Sequence, residues 1–115
     1  MRVLVFDPNV DFARRAVGFI HENVKNAYAD MASNVFVLRK RLREGKWDFV
    51  LADVAAAGFM SDVINELKEL DCPVVVWSTL VEDDCDHLLD KFKIVRKPIN
   101  TIELSSTLHN LVEVS

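Results

Sequence analysis

Two hydrophobic periodicities alternate along the chain, and the alternation itself predicts an architecture. Residues 2–7, RVLVFD, are an unbroken apolar run closed by Asp7, too short for a helix and suited to a strand buried on both faces. From Asn9 to about Val24 the spacing changes, and Ala13, Ala16, Val17, Ile20 and Val24 recur at helical intervals. KNAYADM (25–31) reads as a weaker second strand. Ser33 or Asn34 caps a helix running to about Glu44, and Gly45 suits its end. WDFVLAD (47–53) is another buried strand ending on an Asp, and Val63, Ile64, Leu67 and Leu70 give a third helix one apolar face. PVVVWS (73–78) is the clearest strand of all, followed by a short helix over about 82–92 and a fifth strand, KIVR. The last helix runs from about Asn100 to Val112, with Asn100 and Glu103 at capping-box spacing and Leu104, Leu108 and Leu111 facing inward. Five strands and five helices in alternation predict a parallel sheet covered on both faces.

Length and composition narrow the class. One compact domain over residues 1–115 suits a chain of this size, and 50% apolar with 28% charged residues is ordinary for a soluble globular protein. No apolar run approaches the ~20 residues that span a bilayer, and MRVLVFD reaches an Asp too early for a signal peptide, so a cytoplasmic location is expected. The net charge of −4 argues against direct nucleic-acid binding, which rests on Lys and Arg at phosphates. The one cationic cluster, LRKRLR (38–43), lies on a predicted helix and reads as a solvated face. Cys72 and Cys85 have neither metal-ligand nor C-x-x-C spacing and are read as free thiols.

The strand ends carry the chemistry. In open α/β sheets ligands bind outside the carboxyl ends of the strands. Strand one ends on Asp7, strand three on Asp53, strand four on Ser78, and strand five runs into Lys97. Each has a mundane reading. Asp7, for one, is a favoured helix N-cap, and Pro8 fits a first helical position because its missing N–H has no partner there. Four such residues at corresponding strand ends are harder to assign to chance.

VLVFDPN, DFVLADV, PVVVWS and VRKP resemble, in order and spacing, the four signature segments of the receiver domain of bacterial response regulators, and the resemblance covers essentially the whole chain. It implies a doubly wound, flavodoxin-like sheet of five parallel strands in the order 2-1-3-4-5, for which this family's chemotaxis member is itself a standard example. That order sets Asp7 and Asp53 on the strands flanking the switch point. The resemblance further implies that Asp53 is the phosphoacceptor, that Ser78 and Lys97 bind the phosphoryl oxygens, and that Mg²⁺ is held by Asp7, Asp53 and the backbone carbonyl of Ala55. A histidine kinase or phosphotransfer protein would be the donor and a downstream protein the recipient, with a homodimer possible and no membrane or nucleic acid contacted. Such a domain is not an enzyme beyond self-phosphorylation and slow self-dephosphorylation.

The chemistry suits these residue types. Phosphoryl transfer is mostly positioning and charge neutralisation, and a carboxylate nucleophile repels an incoming phosphate unless a divalent cation and a Lys offset the charge. Departures from the family pattern are equally specific. Pro8 occupies the second acidic position, which in receivers usually touches the metal. At an effective dielectric of ~20 each pair of unit charges ~4 Å apart is worth about 4 kcal/mol before desolvation, so Mg²⁺ binding should be weakened. Asp11 is a remote substitute and reads better as an acid complementing the helix dipole. VAAAGFM after Asp53 lacks the Pro and later Gly common in receivers, the stretch between Ser78 and Lys97 is short, and Ile94 stands where many receivers place Tyr or Phe.

Other residues take bland readings. EDDCDH (82–87) is read as acids at a helix amino terminus, His21 and His109 as surface or boundary residues, and Trp47 and Trp77 as packing residues, with Trp77 a fluorescent neighbour of Ser78. No Gly-rich nucleotide loop is present. Besides a phosphorylatable receiver, the residues leave open a pseudo-receiver that binds partners without phosphorylation. VLVFDPNVD and VVVWST also resemble, more distantly, the first motifs of haloacid-dehalogenase-type phosphatases, with Asp7 as nucleophile. There Asn9 replaces an expected Asp, no acidic pair follows Lys97, and Asp53 has no role.

Overall fold

The computed structural model describes residues 1–53, 65–78, 93–96 and 100–114. Five strands form one sheet: β1 (Arg2–Phe6), β2 (Tyr28–Ala32), β3 (Phe49–Ala52), β4 (Val74–Ser78) and β5 (Lys93–Arg96). Their order across the sheet is β2-β1-β3-β4-β5 and every neighbouring pair is parallel. Three long helices are described, α1 (Val10–Asn23), α2 (Val35–Glu44) and α3 (Thr101–Val114), with a further helical segment over 65–68. The short helix expected over 82–92 lies outside the described residues.

The unbroken apolar runs are explained by burial on both sides. Leu4, Phe6, Val50, Ala52, Val74 and Val76 pack with Val35 and Leu38 of α2 and with Leu67. Alternate residues of the same strands, Val3, Val5, Phe49, Leu51, Val75 and Trp77, pack on the other side with Ala13, Ala16 and Ile20 of α1 and Leu104, Leu108 and Leu111 of α3. β2 is the weak strand of the sequence because it lies at the sheet's edge, where Tyr28 stays exposed and Asp30 half-buried.

Each of the three long helices starts on an Asn. Asn34 Oδ1 accepts from the Val37 N–H at 2.9 Å and Asn100 Oδ1 from the Glu103 N–H at 2.8 Å. The cap of α1 is Asn9, not Asp7: its Oδ1 accepts from Asp11 and Phe12 at 3.1 and 3.3 Å, and Pro8 lies before the cap rather than inside the helix. Gly45 does end α2, in extended backbone rather than a left-handed cap. A side chain there would run into the Arg2 guanidinium. That guanidinium lies 4.6 Å from the Trp47 ring centre and 5.4 Å from that of Tyr28, a stack at the amino end of the sheet. The turn into β2 uses Asn26 at φ 62°, a conformation Asn tolerates better than most residues. No described helix is long and apolar enough to cross a membrane.

Candidate functional site at the carboxyl rim

Asp7 and Asp53 are brought together by backbone register. Phe6 pairs with Ala52, so each Asp is the next residue past a matched pair on adjacent strands, which run ~4.8 Å apart. Neither stands on a frayed end. The Asp53 N–H donates to the Phe6 carbonyl at 2.9 Å and the Asp7 N–H to the Ala32 carbonyl at 3.0 Å, continuing the ladder on both sides of β1. Asp7 is 0% exposed and Asp53 2%, and among the described residues they are the two buried charged side chains. Both lie on one rim, as expected of residues flanking the switch point.

Asp7 is oriented by a local bond. Its Oδ1 accepts the Asn9 N–H at 2.8 Å, closing a turn over Pro8, which has no N–H to offer. One Asp therefore positions the chain for the cap that the next Asn supplies. Asp11 is exposed in the first turn of α1, as a dipole-complementing acid should be.

Ser78 closes β4, two residues beyond the Ala52–Val76 pair, which puts its backbone on the same rim beside the strand of Asp53. It pairs with Arg96, the last residue of β5. Lys97 and Ala55 lie outside the described residues, as does the Lys97–Pro98 bond. Trp77, fully buried, meets Phe12 of α1 edge-on at 6.1 Å and stands level with the rim. Among the described residues no three His, Cys, Asp or Glu side chains gather in a group that could hold a metal ion.

His21 is a surface residue and Trp47 a packing residue, as read, but each makes a hydrogen bond the sequence did not announce. His21 is not idle: its Nε2 accepts the Ala29 N–H at 3.0 Å. Trp47 donates from Nε1 to the Arg41 carbonyl at 2.9 Å, pinning α2 to the start of β3. The only sequence signal for either was an aromatic residue at an element boundary.

No protein-family model matches the sequence, and comparison with curated proteins finds no match. Solved structures do match. The signal receiver domain of a DNA-binding response regulator from Colwellia psychrerythraea 34H superposes with a TM-score of 0.78 at 21% identity, over 98% of both chains. A response regulator from Thermotoga maritima gives 0.75 at 21% identity, over 98% of this chain and 95% of its own. Another crystal structure of a response regulator from that organism, in complex with Mg²⁺ and BeF, gives 0.66 at 21% identity over 96% and 97%. With five parallel strands in the order expected and near-complete overlap at a fifth of the residues identical, the chain has the flavodoxin-like fold of response regulator receiver domains.

Proposed function

We propose that the chain acts as a receiver domain that takes a phosphoryl group on Asp53 and signals through protein contacts. The observation that carries this reading is the pair of buried carboxylates, Asp7 and Asp53, one residue past a matched register at the carboxyl rim of the two central strands. Carboxylates are costly to take out of water, and buried ionisable groups at the carboxyl ends of parallel strands stand where ligands bind in sheets of this kind. In the transfer, a carboxylate oxygen of Asp53 attacks phosphorus, the bond to the imidazole nitrogen of the donor kinase or phosphotransfer protein breaks, and an acyl phosphate remains. Ser78 would donate to the phosphoryl oxygens and Lys97 would pair with their charge.

The donor set suits a hard divalent cation in kind, since both buried groups are carboxylates. Asp7, Asp53 and the Ala55 carbonyl would hold Mg²⁺, whose contribution is to neutralise the approaching phosphate. Pro8 leaves that set one carboxylate short. The same two features favour a second reading, the pseudo-receiver: Pro8 supplies no ligand, and Oδ1 of Asp7 is already engaged by the Asn9 N–H.

One experiment separates these readings. The chain is incubated with acetyl phosphate and Mg²⁺, the acyl phosphate is trapped with borohydride, and the labelled residue is mapped by mass spectrometry. Label on Asp53 is expected. A folded protein that takes no label supports the pseudo-receiver, and label on Asp7 with phosphate turnover supports the phosphatase.

A further inference from the structure

The outward surface of α2 has no part in the site described above. Phe36, in its first turn, is 74% exposed. Arg39, Lys40 and Arg43 follow at i+3, i+4 and i+7, so the four project within an arc of about 100°. Val35 and Leu38 turn inward to the core, and Arg41 turns aside to Asp30 and Glu44, 3.3 Å from each. Of the outward cations, Arg39 is paired with Glu66 at 3.0 Å. Lys40, with a side chain 71% exposed, stands 3.9 Å from Glu44. Arg43 is exposed and has no carboxylate within ion-pair distance among the described residues. An aromatic ring in water, followed along the same face by three cations of which two meet a carboxylate, leaves a small basic and apolar surface on a chain of net charge −4.

We infer that this face docks an acidic segment of a partner protein, an apolar side chain of which covers Phe36 while its carboxylates meet Lys40 and Arg43. Charge selects the partner class. One aromatic anchor with three cations falls short of the two signals stable membrane attachment takes and of the array of Lys and Arg contacts that phosphate-backbone binding rests on. A short acidic segment meets only the local field, since charges beyond ~8 Å are screened at physiological salt. α2 begins three residues after Ala32, whose carbonyl takes the Asp7 N–H, so a segment seated on Phe36 borders the carboxyl rim.

The test is selection of a random peptide display library on the full chain. Enrichment of peptides that combine Asp or Glu with a bulky apolar residue is expected. Their affinity should fall roughly tenfold or more with Phe36→Ala and again with Arg43→Glu or Lys40→Glu, as for the central anchors of an interface, and stay unchanged with Ile102→Ala, an exposed apolar residue on α3. All four positions are on the surface, and circular dichroism checks that each variant is folded. The inference is overturned if the selected peptides carry no acidic bias, or if they bind the Phe36 and Arg43 variants as well as the parent. It is also overturned if phosphatidylserine vesicles or duplex DNA, rather than peptides, are the ligands those substitutions release, or if Phe36 proves to hold a dimer of this chain in sedimentation.

Discussion

Pro8 stands between Asp7 and Asn9 and changes what both can do. With no N–H on Pro8, the Asp7 carboxylate turns to the Asn9 N–H, and Asn9 in turn caps α1. Pro8→Asp restores an acid beside the buried pair. Its Coulomb gain is offset largely by hydration, so we expect Mg²⁺ to bind roughly tenfold more tightly, about 1.4 kcal/mol, rather than by the full ~4 kcal/mol of an unscreened pair. Titration followed by Trp77 fluorescence measures it, and an unchanged dissociation constant would place the metal away from this rim. Cys72 is governed by its surroundings in a different way. Burial pushes its thiol above the ordinary value of 9.0, with the Asp48 and Asp71 charges adding to the rise against a lowering backbone hydrogen bond. The neutral thiol is thus favoured more in the folded chain than in the unfolded one. The resulting stability is full below pH 9 and is lost as pH rises through the raised value. Urea midpoints at rising pH should fall more steeply for the parent than for Cys72→Ala, and iodoacetamide should label the folded protein more slowly than the unfolded; equal slopes and equal labelling would contradict the rise.

Elements differ in how well their sequences announced them. β1, β3 and β4 were legible because burial on both faces demands continuous apolar runs, and α1 and α3 because one apolar stripe repeats at helical spacing. β2 was faint for a physical reason: at the edge, one row of its amides has no strand to meet. The Tyr28 N–H donates to the Met1 carbonyl of the neighbouring strand's side, so in a parallel ladder the alternate amides of Ala29 and Met31 point outward. Both are satisfied by side chains, Ala29 by His21 Nε2 at 3.0 Å and Met31 by Asp30 Oδ1 at 2.8 Å. These two bonds keep the edge from offering itself to another strand. His21→Ala should therefore destabilise the fold by about 1 kcal/mol. It should also speed hydrogen exchange at Ala29 selectively; exchange that rises uniformly along β2 would mean that His21 acts through packing instead.

At the scale of the whole molecule, the candidate site sits where β1 and β3 end, and this explains both what was legible and what was not. Asp7 and Asp53 could be picked out because each closes an apolar run, and strand register then makes them neighbours. The direction of the Asp7 side chain could not be read, since it is set by a bond to Asn9 that competes with capping, and two Asx residues within one turn leave that choice to tertiary structure. Because β1 and β3 contribute to both core layers, a ligand held at their ends acts on the cooperative unfolding of the entire domain. Mg²⁺ that binds only the folded chain stabilises it by mass action, about 1.4 kcal/mol at ten times the dissociation constant. For a domain of this size that corresponds to a rise of roughly 5 °C in Tm. Asp53→Asn removes one of the two buried carboxylates while keeping the volume of the side chain, so the variant should fold and its Tm should be indifferent to Mg²⁺. Pro8→Asp should reach the same rise as the parent at roughly a tenth of the Mg²⁺ concentration. A parent Tm that does not respond to Mg²⁺ at concentrations where Pro8→Asp does would assign the chain to the pseudo-receivers, and a response that survives Asp53→Asn would show that the cation binds somewhere other than between these two strand ends.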